Sequence, residues 1–270
     1  MRSFKRLAGD PDRFTVVVPT INSARWIADL HRYYSSIDVE PLYCVDSRSR
    51  DDTWAILQEV GARTISVASE LRRVEALVVQ FKDRVDTPWI LRVDDDECPS
   101  AELIAWIRSR RIRWTHDVIA IVRRWLRFSA AGDLEFAASG SWDWSGSQNG
   151  EDRQFRLYQQ DAVDYVTDIH TPGFKVKAAT QAPMRALLYH FDWIVRSRRQ
   201  RLEKMRAYDE QHDNAGESKA WFYLPEDIEH WDYSGFVRDG AVQTLARCMR
   251  AAGEHAGTTT SIMEEREIGG

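Results

Sequence analysis

The segment that decides the fold lies at residues 89–97 and reads WILRVDDDE. Four of its first five residues are apolar, which predicts a buried strand, and four consecutive carboxylates follow it. Two earlier segments also join an apolar strand to a polar end: FTVVVPT at residues 14–20 and LYCVD at residues 42–46. Strands that end in this way predict a sheet whose ligand site lies beyond the strand ends.

Apolar residues at helical spacing separate these strands, and a further strand is predicted at residues 64–67. The alternation of strand and helix predicts right-handed βαβ crossovers and a mainly parallel central sheet with helices on both faces. Because the carboxyl ends of parallel strands meet at one edge of the sheet, we expect Asp46 and Asp94 to converge.

The pattern changes after residue 115. Strands are predicted at residues 118–128, 155–158, 163–166 and 186–191, and a basic helix at residues 194–208. The Gly- and Ser-rich stretch at residues 138–150 predicts a mobile loop. We therefore expect one half at residues 1–115, a second half at residues 116–255 that shares the same sheet, and a disordered tail at residues 256–270.

Composition excludes several classes of protein. The 270 residues carry a formal net charge of −5 and a pI near 5.8, which disfavours a chain-wide nucleic-acid surface. Three scattered cysteines disfavour a disulfide framework or a zinc site and favour a reducing compartment. No stretch approaches the roughly 18 apolar residues of a membrane-spanning helix. We expect a cytoplasmic protein.

The acidic run at residues 94–97 suits a divalent cation. Adjacent carboxylates repel one another unless they are solvated or neutralised by a cation. An extended backbone would place Asp94 and Asp96 on the same side, where hard oxygen ligands bind Mg²⁺ or Mn²⁺. The alternative is a solvated acidic turn before a helix that Ser100 caps.

Three strand-end motifs, taken in order, resemble those of a known family. They are PTIN at residues 19–22, DSRSRDDT at residues 46–53 and DDD at residues 94–96. Together they are similar to the nucleotide-sugar-binding segments of the family-two inverting glycosyltransferases of the GT-A fold. Ile21 replaces a common Tyr, and Arg48 replaces the usual Gly. The resemblance implies an α/β chain of GT-A type, with a Rossmann-like sheet and an appended acceptor-binding region.

A fainter similarity continues into the second half of the chain. The segments EDRQFRLY at residues 151–158, DIH at residues 168–170 and LLYH at residues 187–190 resemble segments of the lipopolysaccharide-core branch of that family. Thr171 stands where that branch has Glu. The first half would then bind the nucleotide sugar, and the second half would bind the acceptor.

The resemblance implies roles for the donor-binding residues. Pro19 and Thr20 would line the nucleobase pocket, and Asp46 would accept a hydrogen bond from the base, which favours a UDP-sugar. Asp94 would lie near the ribose, and Asn22 and Asp95 would belong to the same donor site. Asp96 would bind the Mn²⁺ or Mg²⁺ that bridges the diphosphate, and His190 would complete the metal shell. For His190, a structural histidine is the alternative.

Direct displacement at a sugar carbon needs a base that takes the proton of the acceptor hydroxyl. Asp168 is the first candidate, with His170 as its orienting group or substitute, and Glu151 and Asp152 lie in the same half of the chain. The alternative is that these residues are ordinary surface polars.

Two further features suggest contacts with ligands. Trp142 and Trp144 in the Gly/Ser-rich loop would pack on a sugar ring and exclude water, or would anchor the loop. The basic segment at residues 195–206 would touch an anionic membrane surface or a phosphorylated lipid-linked acceptor, or would be a solvated face.

These observations predict an inverting, metal-dependent glycosyltransferase of hexosyltransferase type. It would move a sugar from a nucleotide diphosphate to a hydroxyl of a surface glycan, in the cytoplasm or at the inner face of the membrane. One alternative is a nucleotide-sugar-binding module without catalysis. A sugar-nucleotide pyrophosphorylase is disfavoured because the segment PTINSARW, at residues 19–26, lacks the glycines of a phosphate loop.

Overall fold

The computed structural model describes residues 13–68, 74–81, 83–109, 116–137, 152–168, 171–211, 223–227 and 233–252. In its first half, four parallel strands alternate with helices, as the sequence predicts. β2 lies between β1 and β3, and β4 pairs with the other side of β1. The elements are β1 (Phe14–Thr20), α1 (Ile27–Ser36), β2 (Leu42–Asp46), α2 (Thr53–Glu59), β3 (Arg63–Val67), α3 (Val74–Phe81), β4 (Trp89–Arg92), β5 (Glu97–Pro99) and α4 (Ala101–Ser109).

Helices cover both faces of this sheet, because the side chains of β1 alternate between two apolar cores. Val16 and Val18 pack in a core with the buried residues of α1 and α4. Val17 packs in a second core with Leu77 and Phe81 of α3. A strand that is buried on both faces is a continuous apolar run, which explains the VVV of β1. The predicted α/β class is confirmed.

The second half of the chain adds antiparallel strands, so the prediction of a mainly parallel sheet holds only for β1–β4. The elements are β6 (Val118–Phe128), β7 (Leu134–Ala137), β8 (Arg153–Gln159), β9 (Asp164–Tyr165), β10 (Phe174–Lys175), β11 (Thr180–Gln181), β12 (Leu187–His190), α5 (Asp192–Val195), α6 (Arg198–Gln211) and β13 (Tyr233–Phe236), and residues 240–252 are helical. The strand β8 pairs antiparallel with both β4 and β6, and the strand order is β13-β7-β6-β8-β4-β1-β2-β3.

One strand pairing matters most for the site. The short β5, which begins with the last residue of the acidic run, pairs antiparallel with β12. On its other side, β12 pairs parallel with β6. His190 lies opposite Glu97 in this register, and the backbone N–H of Phe191 donates to the carbonyl of Asp96 at 2.7 Å. The pairing therefore fixes residues 190–192 beside the acidic run.

The basic segment forms two helices instead of the one that the sequence predicts. The helix α5 ends where Arg196 adopts an extended backbone, with φ −109° and ψ 134°, and α6 begins at Arg198. This break directs Arg196 toward the acidic run. Arg201, in the first turn of α6, is buried and donates to both carboxylate oxygens of Glu226 at 2.7 and 2.8 Å. Arg198, Arg199 and Arg206 are exposed, so the predicted solvated basic face holds for part of the segment, and contact with a membrane stays a prediction.

Several predicted features lie outside the described residues, namely the Gly/Ser-rich loop at 138–150 and the tail at 256–270. The division into halves at residue 115 stays a prediction, although β6 and β8 join the sheet that β1–β4 begin. Among the described helices, none combines the length and the apolar character that a membrane span requires.

Candidate functional site

The site lies at the carboxyl edge of the parallel strands. The register pairs Thr20 of β1 with Val45 of β2, and Val17 of β1 with Arg92 of β4. The residues that end these strands, Thr20 and Asp46, therefore share an edge with the acidic run after β4. The predicted convergence of the strand ends is confirmed by this register.

The acidic run is a tight turn and not an extended strand. The backbone N–H of Glu97 donates to the carbonyl of Asp94 at 2.9 Å. The expectation that Asp94 and Asp96 share one side of an extended backbone is therefore wrong. The turn instead distributes its four carboxylates, all of them buried or half-buried, over three sets of partners, one of which Asp94 and Glu97 share.

Asp94 and Glu97 belong to a buried ionic network that connects the turn to β6 and β8. Arg92 donates to Asp94 at 3.0 and 3.2 Å, and Arg156 donates to Asp94 at 2.6 Å and to Glu97 at 2.9 Å. Arg123 donates to Glu97 at 3.1 Å. Burial raises the pKa of Asp94, but Arg156 and Arg92 outweigh burial and hold this pKa well below its ordinary value.

Asp95 faces the loop after β1. Its Oδ2 accepts hydrogen bonds from the Thr20 hydroxyl at 2.8 Å, from the backbone N–H of Ile21 at 3.2 Å and from the Ser23 hydroxyl. Burial, followed by the repulsion of Asp96, raises the pKa of Asp95 to about 6. The predicted donor-binding role of Asp95 is disfavoured, because its contacts join two segments of the chain to each other.

Asp96 lies beside residues 190–204. His190 Nε2 is 3.4 Å from Asp96 Oδ1, and Lys204 Nζ is 3.6 Å from Asp96 Oδ2. Arg196 Nη1 donates both to Asp96 Oδ2 and, at 2.5 Å, to Asp192 Oδ1. Burial raises the pKa of Asp96, but Arg196, His190 and Lys204 hold it well below its ordinary value, so Asp96 is ionised.

Asp96, His190 and Asp192 form a group that fits a divalent cation. One ligand atom from each residue lies within 4.8 Å of the others, and all three side chains are buried. Asp192 Oδ2 and His190 Nδ1 have no hydrogen-bond partner among the described residues. Carboxylate oxygens are ligands of both Mn²⁺ and Mg²⁺, and an imidazole is a ligand of transition metals such as Mn²⁺. Sequence reasoning missed Asp192, although its place two residues after His190 was a usable signal.

An aromatic residue supports the histidine of this group. The ring of Trp125 meets the ring of His190 edge-on, with centroids 4.0 Å apart. Trp125 Nε1 also donates to Asp152 Oδ2 at 2.9 Å, and its ring lies 5.1 Å from that of Trp193. These contacts fix the orientation of the imidazole.

Asp46 is covered by the residue that departs from the family pattern. Arg48 donates to Asp46 Oδ1 from its backbone N–H and from Nε, each at 2.9 Å, and its Nη2 donates to Oδ2. Asp46 is 2% exposed. Burial raises its pKa, but the hydrogen bonds from Arg48 bring the pKa below its ordinary value. Asp46 can therefore meet a nucleobase only after Arg48 moves away.

The other predicted donor-binding residues lie in or after β1. Pro19 is buried within the strand, opposite Cys44 of β2. Asn22 has a left-handed backbone, with φ 53°, and its Oδ1 accepts from the backbone N–H of Arg50 at 2.8 Å. Asn22 thus connects the loops that follow β1 and β2, which together form the wall of the site.

The candidate bases differ in their surroundings. Asp152 accepts from Arg123 at 2.8 Å and from Gln154 at 2.6 Å. Burial raises the pKa of Asp152, but Arg123 lowers it below its ordinary value. A general base works best with a pKa near the working pH, so Asp152 is disfavoured as the base.

Asp168 is exposed, in a loop that leads toward Asp94. Thr171 Oγ1 donates to the Asp168 carbonyl at 2.6 Å, and Arg92, which holds Asp94, donates to the carbonyl of Pro172 at 3.1 Å. These two bonds link Asp168, through residues 171 and 172, to the arginine that holds Asp94. His170, Glu151, Trp142 and Trp144 lie outside the described residues.

No protein-family model and no curated protein sequence matches this chain. Solved structures that resemble it include glucosyl-3-phosphoglycerate synthase from Mycobacterium tuberculosis, in complex with Mn²⁺, UDP and glucosyl-3-phosphoglycerate. The two chains are 18% identical, with a TM-score of 0.35 over 41% of this chain. The chain spans only 44% of the length of that enzyme.

Two other solved structures also resemble this chain. Residues 1–349 of TarS from S. aureus match at 14% identity with a TM-score of 0.46, over 77% of this chain and 67% of TarS. A 4-diphosphocytidyl-2C-methyl-D-erythritol synthase from Anaerococcus prevotii matches at 10% identity with a TM-score of 0.35, over 56% of this chain and 73% of the synthase. Similarity at this level leaves function to be argued from the site.

Proposed function

We propose that this chain is a glycosyltransferase of the GT-A fold that uses a nucleotide diphosphate sugar, with a UDP-sugar favoured, and a divalent cation. The observation that carries the proposal is the buried group of Asp96, His190 and Asp192 at the carboxyl edge of the parallel strands. Open α/β sheets bind their ligands at this edge. The ordered motifs at residues 19–22, 46–53 and 94–96 support the same function.

The donor would bind between the loops that follow β1 and β2. Pro19, Thr20 and Asn22 would form one side of this region, and Asp46 with Arg48 would form the other; the bond from Arg50 to Asn22 that links the two loops supports this arrangement. A bound Mn²⁺ or Mg²⁺, held by Asp96, His190 and Asp192, would neutralise the charge that develops on the diphosphate leaving group. The ionic network around Asp94 keeps the neighbouring turn rigid.

The transfer would be a single displacement. The acceptor oxygen bonds to the anomeric carbon while the bond from that carbon to the diphosphate oxygen breaks, which inverts the configuration. Asp168, exposed at the edge of the site, would take the proton of the acceptor hydroxyl. We assign the acceptor to the class of hydroxyl-bearing glycans, bound by the second half of the chain.

The proposal is tested by thermal unfolding with UDP and Mn²⁺, followed by an assay of UDP release from UDP-sugars. We expect UDP to raise Tm in the presence of Mn²⁺, because a ligand of the folded state stabilises it. Asp96→Asn should abolish this rise and UDP release. The matched control is Asp164→Asn, which removes an exposed carboxylate that pairs with Lys177 at 2.9 Å. A wild-type protein that UDP does not stabilise at any Mn²⁺ concentration contradicts the proposal.

A nucleotide-sugar-binding module without catalysis is the second candidate. It is favoured by one observation: within the described part of the chain, no hydrogen bond orients the Asp168 carboxylate. Binding of UDP without UDP release over a broad panel of sugars and acceptors would select this candidate. Release of pyrophosphate from a nucleoside triphosphate and a sugar phosphate would select the pyrophosphorylase instead.

A further inference from the structure

Two cations, Arg196 and Lys204, contact the same carboxylates that would hold a metal ion. Arg196 Nη1 bridges Asp96 Oδ2 and Asp192 Oδ1. Lys204 Nζ lies 2.7 Å from Asp192 Oδ1 and 3.6 Å from Asp96 Oδ2. The protein thus neutralises its own two carboxylates with a guanidinium and an ammonium group.

These cations also cover the site. The carboxylates of Asp96 and Asp192 are 7% and 0% exposed, whereas the side chains of Arg196 and Lys204 are 21% and 24% exposed. The solvent side of the carboxylates is therefore formed partly by the two cations. A ligand that approaches from this side meets these two cations before it reaches the carboxylates.

A divalent cation and the Arg196 guanidinium cannot share these oxygens in their present positions. Mn²⁺ and Mg²⁺ bind carboxylate oxygens at about 2.0–2.2 Å, well inside hydrogen-bond distance, and repel a neighbouring positive charge. Arg25 adds to this repulsion, because Arg25 and Arg196 both lie over the ring of Trp26, at 5.4 and 5.7 Å from its centroid. A divalent cation would thus enter a site that already holds Arg196 and Lys204, with Arg25 nearby.

We infer that Arg196, assisted by Lys204, is an internal counter-ion that a divalent cation must displace, and that the displaced guanidinium then binds the diphosphate of the donor. This inference rests on the proposed function. Arg196 is a positioning residue for the metal and a binding residue for the diphosphate. Guanidinium groups bind phosphate oxygens in bidentate fashion, which suits this second role.

The inference requires the metal and the diphosphate to bind cooperatively. A metal alone must break the contacts of Arg196 and leave its charge without an anionic partner. When UDP is present, the diphosphate supplies that partner, so UDP must tighten the binding of the metal. By thermodynamic linkage, the metal must tighten the binding of UDP by the same factor.

The experiment measures the affinity for Mn²⁺ by electron paramagnetic resonance, with and without UDP. Arg196→Gln should bind Mn²⁺ alone about tenfold more tightly than the wild type, because one competing charge is removed. The same variant should lose most of the UDP-dependent tightening of Mn²⁺ binding that the wild type shows. The matched control is Arg199→Gln, which removes a guanidinium that pairs with Glu203 at 3.0 Å, and should behave as the wild type.

Two outcomes overturn this inference but leave the proposed function standing. In one, Arg196→Gln binds Mn²⁺ as the wild type does, or more weakly. In the other, the variant retains the full coupling between UDP and Mn²⁺. Should Arg196→Gln fail to fold, Lys204→Gln carries the same prediction with a smaller gain in Mn²⁺ affinity, and an unchanged affinity then overturns the inference. If no variant and no wild-type sample binds Mn²⁺, both the inference and the metal site of the proposed function fail.

Discussion

The hydroxyl of Thr20 donates a hydrogen bond of 2.8 Å to Asp95, a residue 75 positions later in the chain. This bond joins the end of β1 to the acidic turn after β4. Ile21 and Ser23 donate to the same oxygen, so the loop after β1 is attached to the turn at three points. These bonds therefore hold the loop after β1 and the acidic turn together.

The contribution of this attachment to the free energy of unfolding can be measured with two valine substitutions on β1. Thr20→Val should lower the free energy of unfolding by about 1.5–3 kcal/mol, because it deprives a buried charged acceptor of a donor. Thr15→Val removes a bond between two hydroxyl groups, Thr15 and Thr87, and should cost only about 1 kcal/mol. Urea unfolding at pH 7.5 compares them. An equal loss in the two variants would show that the bond to Asp95 has no special weight.

Removal of Arg48 should strengthen nucleotide binding. Arg48→Ala removes the bonds from Nε and Nη2 to Asp46 and leaves only the backbone bond to Oδ1, so Oδ2 can then accept a hydrogen bond from the base. A hydrogen bond to a charged acceptor is worth about 1.5–3 kcal/mol, or roughly tenfold in affinity or more. Calorimetric titration with UDP and Mn²⁺ measures the change, and Asp46→Asn in the Arg48→Ala background should cancel it. Weaker binding by Arg48→Ala would instead make Arg48 itself a contact of the nucleotide.

Gly173 positions the loop that carries Asp168. Its φ is +90°, and a Cβ at this position would lie 2.7 Å from the Cβ of Val78 in α3. Gly173→Ala should lower the free energy of unfolding by about 1–3 kcal/mol, from backbone strain and overpacking together. Gly132→Ala is the control, because Gly132 also has a positive φ, +85°, but an added Cβ would meet nothing within 4 Å. Equal losses in the two variants would exclude the contact with Val78 as a cause.

The stability supplied by Asp152 should disappear in acid. The pKa of Asp152 in the folded state is below its ordinary value of 3.8, so the folded protein prefers the ionised form. The contribution of Asp152 to the free energy of unfolding is therefore complete above pH 4 and is lost as the pH falls further. Asp152→Asn should therefore cost about 3 kcal/mol at pH 7 and at pH 5, and clearly less at pH 3.5, by urea unfolding. Asp164→Asn, at an exposed ion pair, should have little effect at any pH. A cost of Asp152→Asn that does not change with pH contradicts the assignment.

The sequence predicts the strand ends that border the site, because local patterns of apolar and polar residues encode them. Apolar strands that end in Thr20, Asp46 and Asp94 define the edge of a parallel sheet, and the structure has these strands in the expected register. The geometry of the turn was not predictable in this way. Four carboxylates in sequence do not reveal that Glu97 closes a hydrogen-bonded turn onto Asp94.

The roles of Arg196 and Arg48 could not be predicted from the sequence, and that of Arg196 depends on a contact that is distant in sequence. Arg196 meets Asp96 across 100 positions, because β12 pairs with β5 and α5 stops before Arg196. A basic segment gives no sign of which of its charges face inward. Arg48 was visible as a departure from the family pattern, but only the structure indicates that it covers Asp46.

The counter-charges of the acidic turn come late in the chain. Apart from Arg92, the cations that contact residues 94–97 in the described structure are Arg123, Arg156, Arg196 and Lys204. During synthesis on the ribosome, the turn therefore emerges as a hydrated anionic loop and loses its water only when β6, β8 and α6 arrive. A fragment that stops after α4 would keep β1–β4 and the acidic turn, but would lack four of the five cations that contact the turn in the described structure.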